Sequence, residues 1–417
     1  MTKIAQIADT HIDTRHKRWP TLRRSLDTMI GQIGQAKPDL IVHAGDLGEK
    51  NPNDKDLDAM AMFLQGLAEF APTVVCLGNH DARGHWEVLS KIDTRHQLVM
   101  VTFPETLCLL TDGALWNLED LPEGDIDATK LIAHVLPWPA KGQLLANYPE
   151  AVAPEDSDRI ALECLRSIFR GWRQEREIAG AEKADIPSIL VGHLDLSGAR
   201  GDQGQPLCTP DVSVSVYDLA EAGTDITMLG HIHAQQDHEI EPGILAWYSG
   251  SPCRLSWGEA GAEAKGWILY HADMPEHEVI EILSPRLWTV EAEWTQEYGP
   301  GGESLLWAFE RDVHDPIEAA PEDELRFRYH VPEEQREAAK AAMEQEIQKI
   351  WPGPRENVTV EERVIPSRHA RAPELVTEDD PVEQAKRYLA LEHPEWTAEQ
   401  IDEYTPLLRE AVQGVVS

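Results

Sequence analysis

Thr73-Val74-Val75-Cys76-Leu77-Gly78-Asn79-His80-Asp81 reads as a short apolar strand that breaks at a glycine into three side chains able to bind a metal or move a proton. Outward from it the same device recurs. Ile4–Ala8 ends in Asp9-Thr10-His11, Leu40–Ala44 in Gly45-Asp46, Ile189–Val191 in Gly192-His193, and Ile226–Leu229 in Gly230-His231-Ile232-His233. Between these runs, Thr21–Gln35, Asp56–Phe70 and Asp158–Ile178 carry apolar residues at helical spacing. Strands alternating with helices predict a layered α/β fold. In such folds the carboxyl ends of neighbouring strands form one rim where ligands collect, so five separate loops converge.

The converging side chains are Asp9, His11, Asp46, Asn79, His193, His231 and His233. Carboxylate, imidazole and amide oxygen without thiolate suit a catalytic Mn²⁺, Fe²⁺ or Zn²⁺ site rather than a closed structural zinc. Seven donors exceed the needs of one ion and fit two ions that share a carboxylate. Such a pair clamps the attacking and leaving oxygens of a phosphoryl displacement and acidifies a water between them. His80, unless it is itself a ligand, is placed to give a proton to the leaving alkoxide, with Asp81 holding its ring.

Composition narrows the possibilities. The chain has 417 residues, 42% apolar and 27% charged, and its 74 acids against 37 bases leave a formal charge of −37. A field of that sign repels nucleic acid and anionic membranes, which excludes a simple basic-patch DNA binder. The five cysteines (Cys76, Cys108, Cys164, Cys208 and Cys253) form no Cys-x-x-Cys pair. That excludes a zinc ribbon and fits a reducing compartment. The opening Met1–Asp9 segment reads as a strand rather than a signal peptide, and no run approaches a membrane span. A cytoplasmic protein without membrane association is therefore expected.

Beyond the first domain, expected over residues 1–285, Trp288–Trp294, Glu324–Val331 and Asn357–Val364 read as strands and Pro332–Ile350 as a helix, a small α+β domain over 286–365. Residues 366–379 are polar and aperiodic, a linker, and 380–417 resume helical signals as a tail. Asp380-Pro381 offers an N-cap with a first-turn proline, and Thr397-Ala398-Glu399-Gln400 has capping-box spacing. The tail's apolar positions, Tyr388, Leu389, Ile401, Tyr404, Leu407 and Leu408 among them, suggest docking onto another chain.

The five ordered motifs resemble those of the calcineurin-like metallophosphoesterases. Three further stretches are similar to the SbcD-type DNA nucleases, bacterial relatives of the meiotic-recombination nuclease. They are Val135-Leu136-Pro137-Trp138-Pro139, His193-Leu194 with Ser197-Gly198-Ala199, and Tyr248–Pro252 leading to Leu255-Ser256-Trp257-Gly258-Glu259. The segment around Ala370–Glu374 is similar too. The resemblance covers residues 1 to about 283 well and the remainder weakly.

It implies a layered β-sandwich core flanked by helices, a small capping domain and a C-terminal helical module. It gives Asp9, His11, Asp46 and His233 to one metal and Asp46, Asn79, His193 and His231 to the other, with His80 as proton donor and Asp81 as its orienting partner. The implied activity is two-metal, Mn²⁺-dependent cleavage of DNA, exonucleolytic at double-stranded ends and endonucleolytic on single strands or hairpins. The implied partner is an SMC-type ATPase (SbcC-like) gripped by the tail, with a homodimer inside a heterotetramer. One departure is Leu47-Gly48-Glu49, where relatives more often carry an aromatic and Asp, and Glu49 receives no role. Two other readings compete: a phosphatase or cyclic-nucleotide phosphodiesterase of the same family, and a mainly architectural subunit that tethers DNA ends. Arg15, Arg18 and Arg254 are the candidate DNA contacts, against the plainer reading of a solvated helix face for the first two.

Overall fold

The computed structural model describes residues 2–122, 125–146, 153–180, 186–201, 212–241, 244–259, 265–272, 276–299, 302–309, 317–365, 380–394 and 396–408. The linker expected over 366–379, the Ala370–Glu374 stretch, Cys208 and the last nine positions of the tail lie outside the described residues. The chain forms two units, one of Met1–Thr289, Ile317–Arg326 and Trp351–Thr359, the other of Val290–Pro316, Phe327–Ile350 and Val360–Ser417. The chain thus crosses between units several times, where the sequence suggests consecutive segments with boundaries near 285, 365 and 379.

The first unit is built on two sheets. One holds β1 (Lys3–Ile7), β2 (Leu40–His43), β3 (Thr73–Cys76), β4 (Leu98–Val101), β14 (Lys265–His271) and β15 (Glu276–Ile282), in the order β15-β14-β1-β2-β3-β4. The four from β1 to β4 run parallel, and β14 pairs antiparallel with β1, Lys3 opposite His271 and Gln6 opposite Ile268. The second sheet holds β5 (Glu105–Leu110), β6 (Leu115–Asn117), β7 (Thr129–Leu136), β8 (Ser188–His193), β11 (Ile226–Gly230), β12 (Gln236–Glu241) and β13 (Ile244–Tyr248). Its order is β12-β13-β11-β8-β7-β5-β6. A two-stranded pair, β9 (Asp195–Leu196) and β10 (Ser213–Val214), sits apart from both.

Strand alternation explains the layers. Ile4, Leu40, Val42 and Val74 of the first sheet meet Leu131, Val135, Ile189, Val191 and Met228 of the second in one buried cluster. On the other face of the first sheet, Ala5, Ile7, Ile41 and Val75 pack on α1 (Trp19–Ala36) and α2 (Asp54–Ala68) through Leu22, Leu26, Met29, Ile33, Phe63 and Leu64. On the other face of the second, Leu190, Leu229, Ala246 and Tyr248 pack on α5 (Ser157–Gly180) through Ala161, Leu165, Phe169 and Trp172. The result is a helix–sheet–sheet–helix sandwich. One polar side chain, Gln6, lies between the sheets; its amide donates to the carbonyls of Leu229 and Trp247 and its oxygen accepts from the Tyr270 hydroxyl.

Two short helices, α3 (Arg83–Leu89) and α4 (Lys141–Ala146), and α6 (Val216–Ala220) complete this unit. The remaining strands, β16 (Leu287–Gly299), β17 (Gly302–Phe309), β18 (Glu324–Pro332) and β19 (Val358–Ile365), form a four-stranded sheet in the order β17-β16-β18-β19. Along β18 burial alternates, Phe327, Tyr329 and Val331 facing inward, and α7 (Arg336–Ile350) buries Ala339 and Ile347. In the tail, α8 (Pro381–Glu392) begins with Asp380 accepting from Val382 N, and α9 (Ala398–Asp402) with the capping box of Thr397 and Gln400. Among the described residues no helix is long and apolar enough to cross a membrane.

Candidate metal centre

Parallel register brings the ligand loops together. In the first sheet Ile7 pairs with His43 and His43 with Val75; in the second Gly230 pairs with His193. The loops after β1 and β2 then continue side by side: Asp9 N donates to Gly45 O and His11 N to Asp46 O, at 3.0 and 3.1 Å. Asp9, His11, Asp46 and His231 have φ of 53°, 43°, 54° and 107°. Such left-handed conformations cost non-glycine residues roughly 1–3 kcal/mol each and collect at functional sites. Among the described residues the one other non-glycine of this kind is Lys37, at the end of α1. Two glycines make room. A Cβ on Gly45, itself at φ 95°, would collide with the His193 ring, and one on Gly78 with the Asp46 carboxylate.

The seven donors meet. His193 Nε2 lies 2.9 Å from Asn79 Oδ1 and 3.3 Å from Asp46 Oδ2. His231 Nδ1 lies 3.3 Å from the same Asn79 oxygen. His11 Nε2 stands 3.0 Å from His233 Nε2 and 3.6 Å from Asp46 Oδ2. Backbone amides tighten the ring: His231 N donates to both oxygens of Asp9, and His80 N to Asp46 Oδ1. Asp9, His11 and His233 form one group of mutually close donor atoms, and Asp9, Asp46 and His193 a second.

Electrostatics fit a cationic guest. Burial opposes charge on Asp46 and His193, yet each favours the other's ionised form: Asp46 is held well below the usual carboxylate range and His193 is raised to about 9. His233 is likewise raised to about 9 against its burial, by the Glu259 and Asp9 carboxylates. Burial pushes Asp9 up and drives His231 down to about 3. Metal ions would take the place of those protons. The ligand rings also have outer partners. The Nδ1 atoms of His193 and His11 face Ala44 O at 2.7 Å and a carboxylate oxygen of Glu49 at 3.1 Å. Both imidazoles thus turn Nε2 toward the centre, as metal-binding histidines do. The residues present fit two divalent ions.

Three expectations are corrected. Asp81 does not hold the His80 ring. Its carboxylate accepts from the backbone amides of Gly78, Leu47 and Gly48, tying two ligand loops together. The ring's partner is Glu49, whose Oε2 is 2.9 Å from His80 Nδ1. That hydrogen bond raises the His80 pKa against its burial, and the bonds from His11 and His80 hold Glu49 well below the usual carboxylate range. The one sequence signal for Glu49 was an acid three positions after Asp46. Arg18 and Arg254 are buried and serve the protein itself. Arg18 binds both oxygens of Glu324, at 2.7 and 2.9 Å, and donates to Leu255 O; Arg254 donates to the carbonyls of Ser284 and Pro285. Arg15 is exposed, on Asp13 and Asn51 O. His43 and His134 are buried outside the donor set, against the hydroxyls of Thr10 and Thr106.

Two stacked sheets with a cage of nitrogen and oxygen donors at their strand ends define a dinuclear metallohydrolase. The chain belongs to the calcineurin-like phosphoesterase family, whose model matches residues 2–235, more than half of its length. Solved structures similar to it include a dimetal phosphatase from Danio rerio, at 12% identity and a TM-score of 0.38 over 64% of this chain and 91% of that one. The protein TT1561 of Thermus thermophilus is similar at 13% identity and a TM-score of 0.36, over 67% of this chain and 98% of that one.

Proposed function

We propose that the chain is an SbcD-type nuclease subunit, cutting DNA phosphodiesters with Mn²⁺ and working with an SMC-type ATPase. The observation that carries the hydrolytic part is the meeting of seven donors around a rim on which His80 stands with Nδ1 anchored, leaving Nε2 to face a leaving group. Bound metal ions supply Lewis acidity and a nucleophilic water at neutral pH. Asp9, His11 and His233 would hold one ion, Asn79, His193 and His231 the other, with Asp46 between. His80 delivers the proton to the departing alkoxide, and Glu49 keeps its ring turned and favours its protonated form.

DNA as substrate is supported by the three stretches similar to the nuclease branch, one of which supplies His193 while the other two adjoin the centre. Trp138 places its ring 4.9 Å from that of His231, and Glu259 lies behind His233. A partner chain is supported by the tail, where Tyr388, Leu391, Tyr404 and Leu407 are exposed. The net charge of −37 adds that DNA affinity in isolation is weak, since few phosphates are neutralised without metal or partner. The test compares linear duplex, hairpin DNA, p-nitrophenyl phosphate and a cyclic nucleotide with the Mn²⁺-loaded full chain. Cleavage of DNA is expected, and hydrolysis of the small esters alone overturns the reading. Co-purification with an SMC-type ATPase tests the partner, and Tyr388→Asp with Leu407→Asp should abolish it.

A further inference from the structure

Glu259 and Lys265 make an ion pair that is almost completely buried, 0 and 4% exposed, immediately behind His233. The Lys265 ammonium donates to Glu259 Oε2 at 2.7 Å, Ser251 Oγ at 2.9 Å and the His233 carbonyl at 2.9 Å. The other Glu259 oxygen accepts from the amides of Leu255 and Ser256, at 3.0 and 3.1 Å, and lies 3.7 Å from His233 Nδ1. Ser251 N donates to the same His233 carbonyl at 3.1 Å. Burying two charges costs several kcal/mol per ion, which their attraction often only offsets, so such a pair is a poor stability device. Its placement suggests another use. Lys265 holds the backbone of His233 while Glu259 faces its ring. The ring's other nitrogen, Nε2, points to His11 within the centre.

We infer that Glu259, held in place by Lys265, is a positioning residue for the metal ligand His233: facing Nδ1, its carboxylate favours the tautomer with the proton on that nitrogen and so leaves Nε2 for the ion. The inference rests on the reading of the site as a divalent-metal centre and is independent of the substrate. Glu49 is hydrogen-bonded to Nδ1 of His11 at 3.1 Å and Glu259 faces Nδ1 of His233 at 3.7 Å, so the two imidazoles proposed for one ion each have a carboxylate behind them. Partners of this kind fix the tautomer, and losing one weakens metal affinity roughly 10- to 100-fold.

Mn²⁺ titration of the full chain, followed by loss of the free-ion electron paramagnetic resonance signal, tests this. Wild type should bind two equivalents. Glu259→Gln with Lys265→Met removes both charges together and should leave circular dichroism unchanged while weakening one equivalent roughly 10- to 100-fold. Glu259→Gln alone, nearly isosteric, should do the same. Ser251→Ala touches the pair but not the ring and should keep both affinities within about twofold of wild type. Wild-type Mn²⁺ binding in the Glu259 variants, or equal losses in Ser251→Ala, overturns the proposal. An independent readout needs no variant: in the Zn²⁺-loaded, ¹⁵N-histidine-labelled chain, His233 should carry its proton on Nδ1, and a proton on Nε2 overturns it. A wild-type chain that binds no Mn²⁺ overturns the metal reading itself, and this inference with it.

Discussion

Glu49 Oε2 stands 2.9 Å from Nδ1 of His80, while the second oxygen of the same carboxylate reaches the His11 ring at 3.1 Å. One side chain therefore orients the proton donor and a metal ligand at once. Glutamine keeps the shape but cannot accept from both imidazoles. Glu49→Gln should lower kcat for phosphodiester hydrolysis about 10- to 100-fold. The hydrogen bond to Glu49 is the main cause that raises His80, so its loss should move the alkaline limb of the pH–rate profile to lower pH. A profile unchanged in position removes Glu49 from this role.

Asp46 and His80 should separate by metal content. Asp46 touches His193 and lies near His11, one from each expected ligand set. Asp46→Ala should therefore reduce both ions on elemental analysis. His80→Ala should retain them and slow turnover roughly 10²- to 10⁴-fold. Chelation should abolish activity in both wild type and His80→Ala, and adding Mn²⁺ should restore each to its own starting rate.

Asp81 is expected to behave as a tether. Asp81→Ala leaves the amides of Gly78, Leu47 and Gly48 without their acceptor. A loss of about 2–3 kcal/mol in denaturant unfolding should follow. The alkaline limb set by His80 should stay where it is, the opposite of Glu49→Gln.

Arg18 and Arg15 divide stability from binding. Arg18 is 5% exposed on a carboxylate, so Arg18→Ala should cost about 2–4 kcal/mol of folding stability. Arg15 is exposed, and Arg15→Ala should stay within about 0.5 kcal/mol of wild type. If Arg15 meets a phosphate, its removal lowers the salt dependence of DNA binding by about one ion. An Arg18→Ala variant as stable as wild type would contradict the buried pairing.

His134 makes the fold acid-sensitive. It is fully buried, stacked 5.1 Å from Trp172, and burial lowers it from 6.5 to about 4. Between those values the unfolded chain binds the proton that the folded chain refuses. Stability is therefore intact above pH 6.5 and falls as pH drops toward 4, by about 3 kcal/mol for this group. His134→Phe, which keeps the stack, should flatten the fall in melting temperature between pH 7 and pH 5.

The layered fold was legible because its strands are short apolar runs that end at glycine, a local signal. The metal ligands share it, since Asp9, Asp46, Asn79, His193 and His231 all follow a strand within one to three residues or close it. What stayed hidden depends on contacts between distant segments. Leu98–Val101, Glu105–Leu110 and Leu115–Asn117 are strands set by their sheet partners rather than by any turn signature of their own. Arg18 and Arg254 looked like surface cations because nothing near them in sequence reveals Glu324 or Ser284, about 300 and 30 residues away. Asp81 was placed with its neighbour His80, yet its carboxylate turns to amides across the loop. Glu49 was passed over at the one position where the family resemblance lapsed.

The antiparallel pairing of β14 with β1 also fixes where the catalytic unit can be cut. The family match stops at residue 235, before Lys265–His271, yet that strand lies directly against the one that leads into Asp9 and His11. A fragment ending there would leave β1 as a raw sheet margin, with its outward amides and carbonyls open to other chains, and would lack the fully buried Trp267. Such a truncation invites self-association rather than yielding a minimal enzyme, so a workable genetic boundary falls beyond Ile282.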